Sequence, residues 1–480
     1  MKRKEVYKGE VTDAVSFPGK AKVVVYDAPE AEDNGSCVTV KNVIPGQKIE
    51  FRLKRQGRGE LVRVLEKSPH EIQEVCTVFG ECGGCTYSSM DYDAQLEMKL
   101  AMVKELFAQS GANVTDIERI FASPLTKAYR NKMEYAFGDM EKGGELTLGL
   151  HKRGSRHDVL NVFDCLLVHD DINIITRAAR EFFEGKKVPY YHKTSGEGYL
   201  RHLVLRRSEA TGEILVNLVT TSETVSEKSL LETFVKKICS LTIKGNIAGV
   251  IHTVNNSLAD VVKAEKTTLL YGSACITEEL LGLKFRITPF SFFQTNSKGA
   301  EVLYSKVREY AIAGDDSTEA VMSHLHRDTE CGEGPVIFDL YSGTGTIAQI
   351  MAPVAKKVYG VEIVEEAVEA ARENAGLNGL DNCEFIAGDV LKCLDEIEEL
   401  PDFIILDPPR DGVHPKALEK ILGYGVDNIL YISCKPTSLV RDMEKCREAG
   451  YGVKKACCVD MFPGTGHVET VCLLVRGNQC

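Results

Sequence analysis

Asp339-Leu340-Tyr341-Ser342-Gly343-Thr344-Gly345-Thr346-Ile347-Ala348 closes a short apolar run and leads into a helix-forming segment. Gly343 and Gly345 permit a tight strand-to-helix turn, and without Cβ atoms the backbone can lie against a ligand. Glu362 ends the next apolar run, 17 residues after Gly345. A carboxylate at that point can accept both hydroxyls of a ribose. Asp389, in Ala387-Gly388-Asp389-Val390, ends a third run and is placed to face an adenine amine. The Gly-x-Gly-x-x-Ala spacing also fits a dinucleotide fingerprint. Alone, therefore, this loop leaves a nicotinamide cofactor and S-adenosylmethionine both open.

Around the loop the pattern alternates. Residues 336–340, 357–361, 383–387, 402–406, 428–433 and 471–475 are short apolar runs, with helical periodicity over 365–378 and 415–422. This predicts an α/β fold, a doubly wound Rossmann-like sheet. Upstream the texture changes. Residues 1–66 hold short β-rich runs (21–26, 37–40, 48–53) separated by Pro18-Gly19, Asn34-Gly35 and Pro45-Gly46, which predicts a small barrel of the oligonucleotide-binding kind. Ser68-Pro69-His70 reads as a linker, and 91–110 as a helix with Leu96, Leu100, Val103, Leu106 and Phe107 on one face. Residues 129–272 mix strands and helices in the manner of an α+β domain with an antiparallel sheet. The expected boundaries are 1–67, 68–272 and 273–480. A polar linker or insertion about 313–334 carries His324, His326 and Cys331, which are read as surface residues rather than a metal site.

Composition sets the class. Of 480 residues 44% are hydrophobic and 27% charged, as in a globular protein, and no apolar run is long enough to span a membrane. The basic start Met1-Lys2-Arg3-Lys4 leads into no apolar segment, so no secretory signal is read. Sixteen cysteines are too sparse for a disulfide scaffold in so long a chain, and a reducing cytoplasm is expected. The net charge of −12 argues against nucleic acid, yet residues 1–70 hold 14 Lys and Arg against 10 Asp and Glu, a local +4. Lys48, Arg52, Lys54, Arg55, Arg58, Arg63 and Lys67 supply much of it, and phosphate contacts need only a local basic surface.

Three further motifs carry chemistry. Asp407-Pro408-Pro409-Arg410 puts an acid at the end of a buried strand, followed by a rigid non-helical turn, at the crevice where doubly wound sheets bind ligands. A dehydrogenase has no use for it, whereas methyltransferases acting on planar bases commonly carry such a turn. Cys434 ends the run Tyr431-Ile432-Ser433 beside Lys435, and Glu469 follows 35 residues later. A strand-end cysteine is by itself ordinarily inert. Beside an acid-proline-proline turn and a cofactor loop it becomes a nucleophile, with Lys435 favouring the thiolate and Glu469 as base. The target chemistry is methylation of a pyrimidine at C5, where thiolate addition to C6 makes C5 nucleophilic. Finally Cys76, Cys82 and Cys85 cluster, and Cys165 follows at a distance. This set suits an iron-sulfur cluster or structural zinc.

Together these residues resemble the uracil-C5 RNA methyltransferases of the RumA/TrmA type, in particular the ribosomal-RNA branch, over nearly the whole chain. The resemblance implies a TRAM domain in the first ~65 residues and a 4Fe-4S cluster on Cys76, Cys82, Cys85 and Cys165. S-adenosyl-L-methionine would be bound through Tyr341, Glu362, Asp389 and Asp407. Gln294, in Phe292-Phe293-Gln294-Thr295-Asn296, would reach the donor or the base, and Arg130 would contact RNA. Cys434 becomes the nucleophile and Glu469 the proton acceptor. The expected product is 5-methyluridine in 23S rRNA, made by a cytoplasmic monomer. The same reaction on tRNA, a nicotinamide oxidoreductase and a non-catalytic RNA-binding assembly factor are the rivals. Two glycines in 464–466, where the family is bulkier, would loosen the loop before Glu469, and Ser342 replaces a frequent cysteine.

Overall fold

The computed structural model describes residues 5–26, 38–111, 117–222, 227–258, 264–312 and 334–477. Cys37 and residues 313–333, with His324, His326 and Cys331, lie outside these. The chain divides into two compact units rather than along the three expected segments. One comprises Met1–Glu74, Thr86–Pro124 and Gly299–Cys480; the other comprises Val75–Cys85 and Leu125–Lys298.

The first unit begins with five strands, β1 (Val6–Ser16), β2 (Lys20–Val25), β3 (Val38–Lys41), β4 (Lys48–Leu53) and β5 (Arg58–Glu66), which close into a barrel in the order β1-β2-β3-β5-β4. Alternation drives closure: Tyr7, Val11, Val15, Ile49 and Phe51 turn inward. The expected basic patch is less basic than its composition. Lys48 pairs with Glu66 at 2.7 Å, Lys54 with Glu60 at 2.7 Å, and Arg63 with Glu50 at 2.7 Å, each across neighbouring strands or the turn joining them.

The same unit holds an eight-stranded sheet. Its strands are β6 (Ile117–Phe121), β16 (Val336–Leu340), β17 (Lys357–Glu362), β18 (Cys383–Ala387), β19 (Phe403–Leu406), β20 (Asn428–Ser433), β21 (Tyr451–Val459) and β22 (Glu469–Arg476). The order is β18-β17-β16-β19-β20-β22-β21-β6, with β16 to β20 mutually parallel and β22 antiparallel to β20. The inner parallel strands β16, β17, β19 and β20 are largely buried on both faces, which is why they read as continuous apolar runs, whereas the edge strand β18 buries only Phe385. β21 escaped the sequence reading because Lys454 and Lys455 interrupt it. β6, expected in the central segment, pairs with β21 at the sheet edge. The helix Tyr92–Gln109 starts where its cap dictates: Asp91 accepts from the amides of Asp93 and Ala94.

The second unit is built on β7 (Lys132–Gly138), β8 (Thr147–His151), β9 (Val159–Asn161), β10 (Leu200–Arg207), β11 (Glu213–Thr220), β12 (Asn246–Val254) and β13 (Lys266–Gly272), in the order β13-β12-β11-β10-β7-β8-β9. All neighbours are antiparallel except β11 and β12, whose crossover runs through the helix Glu227–Cys239. That helix and Asp170–Gly185 cover the sheet with Ile172, Ile175, Phe183, Leu231 and Phe234. A hairpin of β14 (Ile276–Leu280) and β15 (Leu283–Ile287) also belongs here, although 273–298 were expected with the C-terminal segment. Among the described residues no helix is long and apolar enough to cross a membrane.

Candidate active site and the four-cysteine cavity

In the first unit the functional candidates gather at the carboxyl ends of the parallel strands. β16 lies between β17 and β19, so the chain winds outward in both directions from it and leaves a crevice at this switch point. The glycine loop sits there. Tyr341, Gly343 and Gly345 all have positive φ (68°, 54° and 71°), and a Cβ on Gly345 would lie 2.5 Å from the Phe385 ring. Glu362 is tied to this loop: its Oε2 accepts from the Gly343 amide at 3.1 Å and its Oε1 from Val364 at 3.0 Å. Asp389 is exposed and caps the short helix Val390–Cys393, accepting from Leu391 at 2.8 Å.

Asp339 was quoted in the motif but given no role. It is fully buried, and its Oδ2 accepts from the Ala348 amide at 2.9 Å, which closes the loop onto the next helix. Burial, and then the charge of Asp407, push its carboxyl up to about 8. Asp407 itself follows β19 and is pushed up to about 7 by burial of its carboxyl, although the residue keeps some surface.

Cys434 and Glu469 meet through strand register. Ser433 pairs with Thr470 at the end of the β20–β22 ladder, so Cys434 and Glu469 are the next residues on the two chains, and the Glu469 charge acts on the Cys434 thiol. Glu469 is only 4% exposed; burial, then Asp407, push it up to about 8, while Arg410 pulls it down. The Cys434 thiol is pushed up to about 11 by burial, Glu469 and Asp407, and again Arg410 opposes. The expected help from Lys435 is therefore corrected. Its ammonium turns to Asp411 at 4.0 Å, and the cation acting on Cys434 is Arg410, from the Asp407 turn.

The loop before Glu469 is not loosened by its glycines. Gly464, at φ 79°, donates to Gln95 Oε1 at 2.8 Å, and its carbonyl accepts from Thr86 at 2.9 Å and Tyr87 at 2.8 Å. A Cβ on Gly466 would stand 2.9 Å from the Pro18 carbonyl of the barrel. Bulkier residues would be expelled from these close approaches. Deeper in, Lys99 donates to Asp460 Oδ1 at 2.7 Å and to the Phe462 carbonyl at 3.0 Å, with both charged side chains wholly buried. Sequence offered no sign of this pair.

In the second unit Cys76, Cys82, Cys85 and Cys165 line one cavity of about 460 Å³, with Arg130, Lys132 and Arg206 among its other walls. Thr77 joins the two segments by donating to Asp164 from its amide (2.8 Å) and hydroxyl (3.0 Å). Burial pushes the Cys165 thiol up to about 12, and the other three thiols add to it. Among the described residues no three His, Cys, Asp or Glu side chains converge as ligands of a single metal ion. Gln294 and Arg130 also belong to this unit. Asn131 donates to the Gln294 carbonyl at 2.9 Å, and Arg130 Nε to the Lys132 carbonyl at 3.1 Å.

A doubly wound sheet with a glycine loop, an acid at the second strand end and an acid-proline-proline turn defines an S-adenosylmethionine-dependent methyltransferase. Comparison with known proteins narrows this. Residues 299–477 match the tRNA (Uracil-5-)-methyltransferase family. An uncharacterized RNA methyltransferase of Clostridium tetani is 48% identical over 450 residues, covering 93% of this chain and 94% of that one. Another from Caldanaerobacter subterraneus subsp. tengcongensis is 46% identical, covering 92% and 94%. The crystal structure of Pyrococcus abyssi tRNA (uracil-54, C5)-methyltransferase in complex with S-adenosyl-L-homocysteine superimposes with a TM-score of 0.73 at 25% identity, over 97% of this chain and 99% of that one. The chain belongs to the uracil-C5 RNA methyltransferase family, whose donor is S-adenosylmethionine.

Proposed function

We propose that the protein makes 5-methyluridine in structured RNA by covalent catalysis. The target uridine leaves its stack, at a cost of a few kcal/mol. Cys434, as the thiolate, then bonds through Sγ to C6, and the ring's electron pair shifts to C5. C5 takes the methyl group and the donor is left as the thioether, the C5 proton passes to Glu469, and the C5–C6 double bond re-forms as the Cys434 thiolate leaves. The donor supplies the methyl and a positive sulfonium, which favours the ionised forms of the acids around it. Tyr341, Glu362, Asp389 and Asp407 are its proposed contacts, and the family resemblance adds Gln294. The observation that carries this reading is the register that sets Cys434 against Glu469 within reach of Asp407 and Arg410.

The four thiols are proposed to hold a 4Fe-4S cluster. What supports this reading is that the four cysteines, from two separate segments, line one cavity. The N-terminal barrel is read as a TRAM domain that holds RNA. The described cysteines are free thiols, in keeping with a reducing cytoplasm.

For the substrate, the resemblance to the ribosomal-RNA branch favours 23S rRNA. The tRNA reading gains from the Pyrococcus abyssi enzyme, which matches over 97% of this chain and 99% of its own. Incubation with labelled donor and separated rRNA and tRNA, followed by mapping of the methylated nucleotide, separates them. Cys434→Ala should abolish methyl transfer and leave RNA binding intact; methylation by that variant would refute the covalent route.

A further inference from the structure

Arg206 stands in the wall between the four-thiol cavity and residues 289–295. At 2% exposure it is one of the few buried cations among the described residues. Its Nε donates to the Pro289 carbonyl at 3.4 Å and its Nη2 to the Ser291 carbonyl. Among the described residues no carboxylate is in ion-pair contact with it. Glu134 attracts it, but Glu134 is itself paired with Lys132 at 2.6 Å. A buried charge held only by carbonyls needs an opposite charge nearby. The neighbouring cavity, lined by Cys76, Cys82, Cys85 and Cys165, is where a thiolate-ligated cluster, which is negative overall, would supply it.

The far side of the segment is tied to the same cavity. Ser291, Phe292, Phe293 and Thr295 line it. Asn131 donates from its amide to the Thr295 carbonyl at 2.8 Å and from its side chain to Gln294. The adjacent Arg130 amide donates at 2.7 Å to the carbonyl of Leu167, another cavity residue, two positions after Cys165. The segment is therefore held at 289–291 by Arg206 and at 294–295 by a strut from the Cys165 loop.

We propose that Arg206 is a positioning residue through which the filled cavity fixes the segment 289–295, so that cluster occupancy governs how firmly Gln294 and its neighbours are presented. This rests on the four-iron reading. Without that counter-charge the buried guanidinium is less favourable, so its hold on both carbonyls weakens.

The test uses the full chain prepared anaerobically, as wild type, Arg206→Met and Arg206→Lys. Iron and sulfide content, the cluster's midpoint potential and hydrogen exchange over 288–297 are measured. Removing a buried cation beside a negative cluster favours its less negative, oxidised form, so Arg206→Met should shift the potential downward. Exchange should speed by roughly tenfold or more, since two charged hydrogen bonds are lost. Arg206→Lys keeps the charge but not the fork, so its potential should stay near wild type while exchange rises. Iron-free wild type should exchange like the Met variant. A cluster of normal content with unchanged potential and exchange in Arg206→Met overturns the proposal alone. Should that variant fail to fold, Arg206→Lys with wild-type exchange overturns it equally. Absence of iron and sulfide from wild type overturns the cluster reading and this proposal together.

Discussion

Replacing Lys99 by Met removes an ammonium that is wholly buried against Asp460, 361 residues away in sequence. Desolvation already pulls the Lys99 proton affinity down, and the attraction of Asp460 is what keeps the charge tolerable. Without Lys99, Asp460 keeps the Phe462 amide at 3.1 Å as a donor and loses its counter-charge. Breaking one side of a buried ion pair costs about 3–5 kcal/mol. At about 1.4 kcal/mol per tenfold, that is roughly two to three and a half powers of ten in the folding equilibrium. Adding Asp460→Asn keeps an acceptor for Phe462 while removing the stranded charge, so the double variant should recover most of the loss. The chain has no tryptophan, so unfolding in urea is followed by far-UV circular dichroism, with hydrogen exchange over 460–468 locating the effect. A loss under 1 kcal/mol in Lys99→Met, or a double variant no more stable than the single one, would refute the view that this pair pins the loop carrying Glu469.

Two predictions concern pH. Glu469 must be ionised to accept the C5 proton, and in the unloaded site its carboxyl sits at about 8, so kcat/KM for the methyl donor, which reports the unloaded enzyme, should climb from pH 6.5 through 8 and beyond. Arg410 is the cation that lowers both Glu469 and Cys434, so Arg410→Met should move the rise to higher pH; a profile that moves the other way would contradict the assignment. The second is a stability effect. Glu469 is raised above its unfolded value near 4.5, so the folded state binds the extra proton between that value and about 8. Stability from this group is present at low pH and is lost as pH rises through 8. Glu469→Gln should therefore match wild type near pH 5 and exceed it by a few kcal/mol at most near pH 9, in urea titrations at both pH values. A variant less stable than wild type at pH 9 would count against burial as the cause.

What could be read in the sequence was what short-range chemistry writes there. Gly343, Glu362, Asp389, Asp407 and Cys434 each end or follow an apolar run, and in a parallel sheet such positions share one edge. Placing Glu469 opposite Cys434 needed the register of an antiparallel pair, which the spacing of 35 residues does not encode. Lys435 was the natural partner for Cys434 in sequence, yet its ammonium faces Asp411, while Arg410 arrives from the turn after β19. The glycines at 464 and 466 read as slack because the backbone they approach, at Thr86, Tyr87 and Pro18, is hundreds of residues away.

These long-range placements share a physical consequence. Asp339, Asp407, Glu469 and Cys434 are all pushed toward their protonated forms, and the cation that opposes this at Cys434 and Glu469 is the exposed Arg410. An unloaded site of this kind holds a neutral thiol beside a neutral acid, and it has little tendency to react with stray electrophiles. A bound sulfonium brings the positive charge that would ionise them. The burial that costs stability above pH 8 thus ties the nucleophile's activation to the arrival of the methyl donor. On this reasoning the Cys434 thiol should react faster with a neutral alkylating agent when S-adenosylmethionine is bound than when S-adenosylhomocysteine, whose thioether carries no charge, fills the same site.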